Sequence, residues 1–242
     1  MLYLYAIADG LDRVHDVGGA DGELLTIHTL EGMQVVAGER AAAPAIDAQA
    51  LRTQDTVVRM LHARSAALLP MRFGASFGSR ADLDRAMTLR APTLRERLEG
   101  VRGREQMTLR VLGAIGASGA TGAAGAAGAA GAEDLSAGAP PGAGVHATGA
   151  WRASSAQGAA YLRERAARRV PREVLPLLEA LKPWPRATRV EAGRSPGVVA
   201  TVYQLIDRGS SAEYEAAVKS AAGALPGLSI RVTGPAPCYA FT

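Results

Sequence analysis

Residues 68–80 read LLPMRFGASFGSR. Gly74-Ala75-Ser76-Phe77-Gly78 satisfies G-x-S-x-G, the spelling of a nucleophile elbow, where a strand turns sharply into a helix and exposes a serine. An apolar run precedes it and a helical pattern follows. A hydrolase of that kind also needs an alternating βα order and a histidine after its serine and acid. The only histidine beyond Ser76 is His146, inside a Gly/Ala/Pro-rich stretch with nothing to hold an imidazole in hydrogen-bonding reach. Glycines at 74 and 78 are equally well explained by a strand-to-helix turn capped by Ser79. The stretch therefore reads as a structural turn, with a small serine hydrolase using Ser76 as the alternative.

Leu68–Phe73 reads as a strand, and Ser79-x-x-Asp82 as a capping box opening a helix through Leu83, Ala86 and Met87. Pro92 should interrupt that helix, with a second stretch running to Gly100. Upstream, Leu2–Ala8 is a strand, and Leu24–Thr29 and Met33–Ala37 flank Leu30-Glu31-Gly32 as a hairpin. Asp47 caps a helix to about Ser65, with Leu51, Val58 and Leu61 on one face. Downstream come a strand from Glu105 to Leu112, a helix from Ser154-x-x-Gln157 carrying Tyr161 and Leu162, and a helical stretch divided by Pro171 and Pro176. Strands at Thr188–Ala192 and Val198–Ile206 follow, then a helix capped by Ser210-x-x-Glu213 and a last strand, Leu228–Val232.

The fold class expected is α+β, in two domains with small, mostly antiparallel sheets packed by helices. Residues 1–102 form the first. From Glu105 the order is β-α-β-β-α-β, so 103–242 is expected to be ferredoxin-like. A Gly/Ala-rich stretch at 113–150 interrupts it. Glycine recurs every third residue from Gly116 to Gly131, yet without proline in those triplets a collagen helix is ruled out, and the tract reads as a disordered, flexible loop.

Composition narrows the chemistry. Aromatics are only 5% of the chain, so the core must be aliphatic. The net charge of +4 comes from arginine spread along the chain, a weak cue for nucleic acid. Arg163, Arg165, Arg168, Arg169 and Arg172 form the densest basic run, but Glu164 and Glu173 dilute it into a solvated helix face. A weak RNA-binding ferredoxin-like protein stays open as an alternative, though the strand Val198–Ile206 carries only Tyr203 for base stacking. Cys238 stands alone, excluding an internal disulfide. No HExxH, paired CxxC, EF-hand or phosphate-loop pattern occurs, so neither metal nor cofactor is expected. The N-terminus lacks the basic region of a signal peptide, and no run reaches the ~20 apolar residues of a membrane span. The expectation is a cytoplasmic protein with no membrane or nucleic-acid partner. Arg72, set in an apolar stretch, is expected to be a paired arginine joining two elements.

Several of these residues carry a resemblance. Leu69-Pro70-Met71-Arg72-Phe73-Gly74 closely resembles the P-x-R-F-G segment of the gas vesicle protein family GvpF/GvpL. Tyr3-Leu4-Tyr5-Ala6 looks like that family's opening, and Leu98 to Gly103 followed by Glu105 like its segment before a strand. Tyr161-Leu162 matches a Tyr-Leu pair at the start of the later helix. The ending Gly234-Pro235-Ala236-Pro237-Cys238-Tyr239-Ala240-Phe241 resembles G-P-W-P-P-Y-x-F, with Ala236 and Cys238 as departures. The resemblance implies a non-enzymatic accessory or minor structural protein of gas vesicle assembly. It would be associated with the vesicles and would contact the hydrophobic shell protein and other accessory proteins. The residues it singles out are Pro70, Arg72, Phe73, Gly74, Glu105, Tyr161, Leu162, Gly234, Pro235, Pro237, Tyr239 and Phe241.

Overall fold

The computed structural model of the chain describes residues 1–113 and 170–242. The Gly/Ala-rich tract, the helix expected from Ser154, Tyr161, Leu162 and His146 lie outside the described residues.

The first sheet is built around β1 (Leu2–Asp9), whose residues through Ala8 are all buried. A strand buried on both sides needs cover on both faces. One cover is α1 (Ala48–Arg64), whose Val57, Val58 and Leu61 pack with Tyr3, Tyr5, Ala6 and Ala8. The other is α2 (Arg80–Val101), whose Leu83, Met87, Ala91, Leu98 and Val101 pack with Leu2, Leu4 and Ile7. Tyr5 and Ala6 thus face the same way, and there the register between β1 and β3 (Met33–Glu39) shifts, as a bulge requires. β2 (Leu25–Leu30) pairs with the far side of β3. On the other side of β1 lie β4 (Ala67–Pro70) and the two-residue β5 (Ser76–Phe77).

Both caps on this half follow the sequence. Asp47 accepts from the Ala50 N–H at 2.8 Å, and Ser79 Oγ from the Asp82 N–H at 3.2 Å. Three details differ. Leu51 is 46% exposed, because the buried stripe of α1 runs through Gln54, Val57, Val58, Leu61 and His62. The strand expected to reach Phe73 ends at Pro70, whose ring supplies no N–H to continue the ladder. Pro92 lies inside one unbroken helix. Its lost hydrogen bond is outweighed by a buried stripe continuous from Leu83 to Val101 on both sides of it.

The second sheet contains β6 (Arg104–Gly113), β7 (Ala187–Ala192), β8 (Val198–Asp207) and β9 (Leu228–Ala236) in the antiparallel order β7-β8-β6-β9. β8 and β6 thus lie in the middle of the sheet and β7 and β9 at its edges. A 3-10 turn (Arg172–Val174) leads into α3 (Leu175–Leu181), with Pro176 in its first turn, where a missing N–H costs nothing. Together with α4 (Ser211–Gly223) these cover one face, burying Met107, Leu109, Val111, Val202 and Ile206 against Val174, Leu177, Leu181, Tyr214 and Val218. Ser210 precedes α4 but does not cap it with its side chain. Its hydroxyl instead donates to the Asp207 carbonyl at 2.5 Å. From the opposite face of this sheet, Leu205 joins the core beneath α2, and so does Cys238.

Candidate functional site

The strand–turn after β4 is moulded around Tyr3. Met71 N–H donates to the Tyr5 carbonyl (3.0 Å), and Leu4 N–H to the Ala75 carbonyl (2.9 Å), so the turn re-enters the sheet beside β1. Gly74 turns the chain at φ +83°, a region open to glycine, and its N–H reaches Tyr3 Oη at 3.2 Å. The Phe73 ring meets Tyr3 edge-on, centroids 6.5 Å apart. Gln54 of α1 closes the ring of contacts, accepting from Tyr3 Oη and donating to the Met71 carbonyl at 3.3 Å. Pro70 is buried. Arg72, expected to be paired, is exposed and has no ion-pair partner among the described residues. The turn holds its shape through backbone bonds and Tyr3, so no guanidinium is needed. Ser76 sits on β5 opposite Tyr3, and its hydroxyl donates to the Gly74 carbonyl at 3.3 Å. It lies on an extended edge, three residues before the Ser79 cap, and not on the strand-to-helix turn itself.

The terminal segment is a strap between α1 and the second sheet. Gly234 lies against β6, where an added Cβ would stand 2.8 Å from the Gln106 carbonyl oxygen. Arg59 of α1 donates to the Pro235 carbonyl (3.1 Å), and Tyr239 Oη donates to Asp55 Oδ1 (2.7 Å). On the other flank Ala240 N–H donates to Gln106 Oε1 (2.8 Å), and Arg189 to the Ala240 carbonyl (3.0 Å). Pro237 and Cys238 are buried, and Phe241 packs half-buried on the first core. Burial pushes the Cys238 thiol up to about 12, well away from reactivity.

Beneath the strap, the Gly103 N–H donates to the Ala66 carbonyl (2.9 Å) and Arg208 to the Ser65 carbonyl (2.9 Å). His62 Nε2 lies 3.2 Å from both Arg208 Nη2 and the Arg104 carbonyl. A guanidinium can only donate, so the neutral ring accepts there. Burial, then Arg208, depress the ring to about 4. Glu105 accepts from the Gly209 N–H (3.3 Å), and burial raises its carboxyl. Ten of the twelve expected residues thus fall in two motif segments and on β6. α1 is the common support of the two segments: Gln54 holds the first, Asp55 and Arg59 the second.

The sheet edges are unequal. β9 is blunted by Gly234 and Pro235, and β7 by the Arg189–Glu191 ion pair (3.1 Å). Just before β4, the Ala66 carbonyl accepts from the Gly103 N–H at the junction. Among the described residues, β2 carries neither a proline nor an ion pair of its own. Its turn with β3 has two residues, Glu31 (φ +53°) and Gly32 (φ +75°), with Arg95 donating to the Glu31 carbonyl at 3.0 Å. In such a turn the flanking pair Leu30–Met33 is hydrogen-bonded and pairs alternate from there. The N–H and C=O groups of Ile27 and Thr29 therefore point outward, and among the described residues none of them has a partner.

The family model for the gas vesicle synthesis protein GvpL/GvpF matches residues 1–242, the whole chain. The chain belongs to the GvpL/GvpF family. Its structure is similar to the crystal structure of the gas vesicle protein GvpF from Anabaena sp. PCC7120, with TM-score 0.69 and 17% identity over 99% of this chain and 94% of that one. It is also similar to GvpF from Microcystis aeruginosa, with TM-score 0.68 and 14% identity over 99% of this chain and 98% of that one. At such identities the likeness speaks to the fold. Among curated protein sequences, none matches.

This GvpL/GvpF chain also holds a polar cluster that sequence reasoning missed. Tyr5 Oη donates to Glu23 Oε1 (2.5 Å) and accepts from the Ala20 N–H (2.7 Å). Arg40 bridges Glu23 (3.2 Å) and Asp21 while its guanidinium lies 5.2 Å over the Tyr3 ring. Burial works against the Glu23 carboxylate, yet hydrogen bonds from Tyr5, the Asp21 N–H and Arg40 together hold it below its usual range. The cluster pins the loop before β2 to the sheet. The one sequence cue was a pair of tyrosines inside an otherwise aliphatic strand.

Proposed function

We propose that this protein serves gas vesicle assembly by holding the apolar shell subunit at the open edge of β2, through strand addition, and that it makes or breaks no covalent bonds. The observation that carries this reading is the outward row of backbone groups at Ile27 and Thr29, which have no partner among the described residues. Exposed apolar side chains lie where β2 begins and just beyond the end of β3, at the end of the hairpin away from its turn. Leu24, just before β2, is 76% exposed, and Ile46, ending the run Ala41-Ala42-Ala43-Pro44-Ala45-Ile46, is 84% exposed. A cleft lined by Asp21, Glu23, Arg40 and Ala41–Ala45 sets that run beside the approach to β2. An apolar subunit held there is kept from pairing prematurely with its own kind.

On this reading Pro70, Phe73, Gly74, Glu105, Gly234, Pro235, Pro237, Tyr239 and Phe241 shape the surface indirectly, whereas the exposed Arg72 is not part of that support. They fix α1, and with it the face behind the edge, against a second domain (103–242). Tyr161 and Leu162 belong to the same set by resemblance. Work in the cytoplasm, on growing vesicles and alongside other accessory proteins, completes the reading. The test is capture of the shell subunit by Thr29→Pro. Proline there takes no hydrogen bond from the β2–β3 ladder and an edge strand tolerates it, so the variant keeps its fold, checked by circular dichroism, while capture is lost. Thr29→Ala retains capture. Equal capture by Thr29→Pro and wild type would overturn the edge assignment.

A further inference from the structure

The second sheet carries a surface that this reading does not use. Its described helices all pack on the face of Met107, Leu109 and Val111. On the opposite face, Arg110 of β6 stands directly across from Arg231 of β9, and Thr201 of β8 flanks Arg110 on its other side. Both arginines are exposed, and among the described residues neither makes an ion pair. Like charges directly opposite on an antiparallel ladder repel, so the fold keeps an unfavourable pair here. Thr108 and Thr233, paired with one another in the next row, add hydroxyls on the same side. The neighbouring Arg189 is committed elsewhere, to Glu191 and the Ala240 carbonyl.

We propose that this face binds an acidic polypeptide segment, a carboxylate of which sits between Arg110 and Arg231. A carboxylate turns the repulsion into two charge-assisted contacts, and a guanidinium fork matches its two oxygens. Phosphate would satisfy the same pair, but RNA readers of this topology stack bases on several sheet aromatics. Here the face offers one, Tyr203, half-buried beside Glu191. The surface lies on the second sheet, so its test is independent of the β2 edge.

The experiment measures binding of a fluorescent oligoglutamate peptide to the full chain by anisotropy, at low and moderate salt. Wild type binds with an affinity that falls as salt rises. Arg110→Gln/Arg231→Gln weakens it about tenfold or more. Arg90→Gln/Arg97→Gln removes the same charge from exposed positions of α2 and leaves affinity unchanged. Arg231→Gln alone weakens binding without lowering the melting temperature, since it relieves a repulsion. The proposal is overturned if the peptide does not bind, if both double variants weaken it equally, if Arg231→Gln lowers the melting temperature, or if an oligouridylate binds more tightly through the same pair.

Discussion

Acidification should loosen the junction between the two sheets through His62. The ring is depressed to about 4 by burial and by Arg208, with Arg59 adding to the effect and the Arg104 carbonyl opposing it. An unfolded histidine titrates near ~6.5. Between these values the unfolded chain takes up the proton and the folded one refuses it. The stability is therefore intact above about pH 6.5 and lost as pH falls toward 4. The full shift is worth about 2 kcal/mol at pH 5; solvent screening at the junction rim reduces it to about 1–2 kcal/mol. Protonation would also set one cation against another at the 3.2 Å contact with Arg208. Urea denaturation of wild type and His62→Gln at pH 7.5 and pH 5 isolates this contribution, because nearby Glu105 and Cys238 titrate alike in both proteins. Wild type should lose about 1–2 kcal/mol more than the variant on acidification. Equal losses in the two proteins would rule out His62 as the source of the pH dependence.

Two further substitutions probe the fold. Gly234→Ala places a Cβ 2.8 Å from the Gln106 carbonyl oxygen and 3.3 Å from Met107 Cα at φ +141°, and should destabilise by about 2 kcal/mol or more, read from thermal melts. Pro92→Ala restores a helix N–H at an exposed position of α2 and should stabilise by about 1–3 kcal/mol, seen as a higher urea midpoint.

Much of the architecture was legible because local signals agreed with the final packing. The hairpin at Glu31-Gly32, the caps at Asp47 and Ser79, and the alternation of Met107, Leu109 and Val111 each specify their element without help from distant residues. Pro92 misleads because its local cost is outweighed by a buried stripe that only the folded sheet reveals. Arg72 misleads in the opposite sense: its neighbours are apolar, yet the turn after Pro70 swings its side chain into solvent. The terminal motif could be recognised as a segment, but its place between α1 and β6 depends on contacts such as Arg59 to Pro235, 176 residues apart. No window of sequence contains such a pair. The open edge of β2 was equally hidden, since an edge is defined by the neighbour a strand lacks.

Amide hydrogen exchange on the full chain, with and without the shell subunit, addresses that edge directly. Strand addition requires the Ile27 and Thr29 amides to become protected on complex formation, while His28, already bonded to Val35, changes little. Protection confined to the second sheet, with Ile27 and Thr29 exchanging as fast as in the free protein, would contradict it.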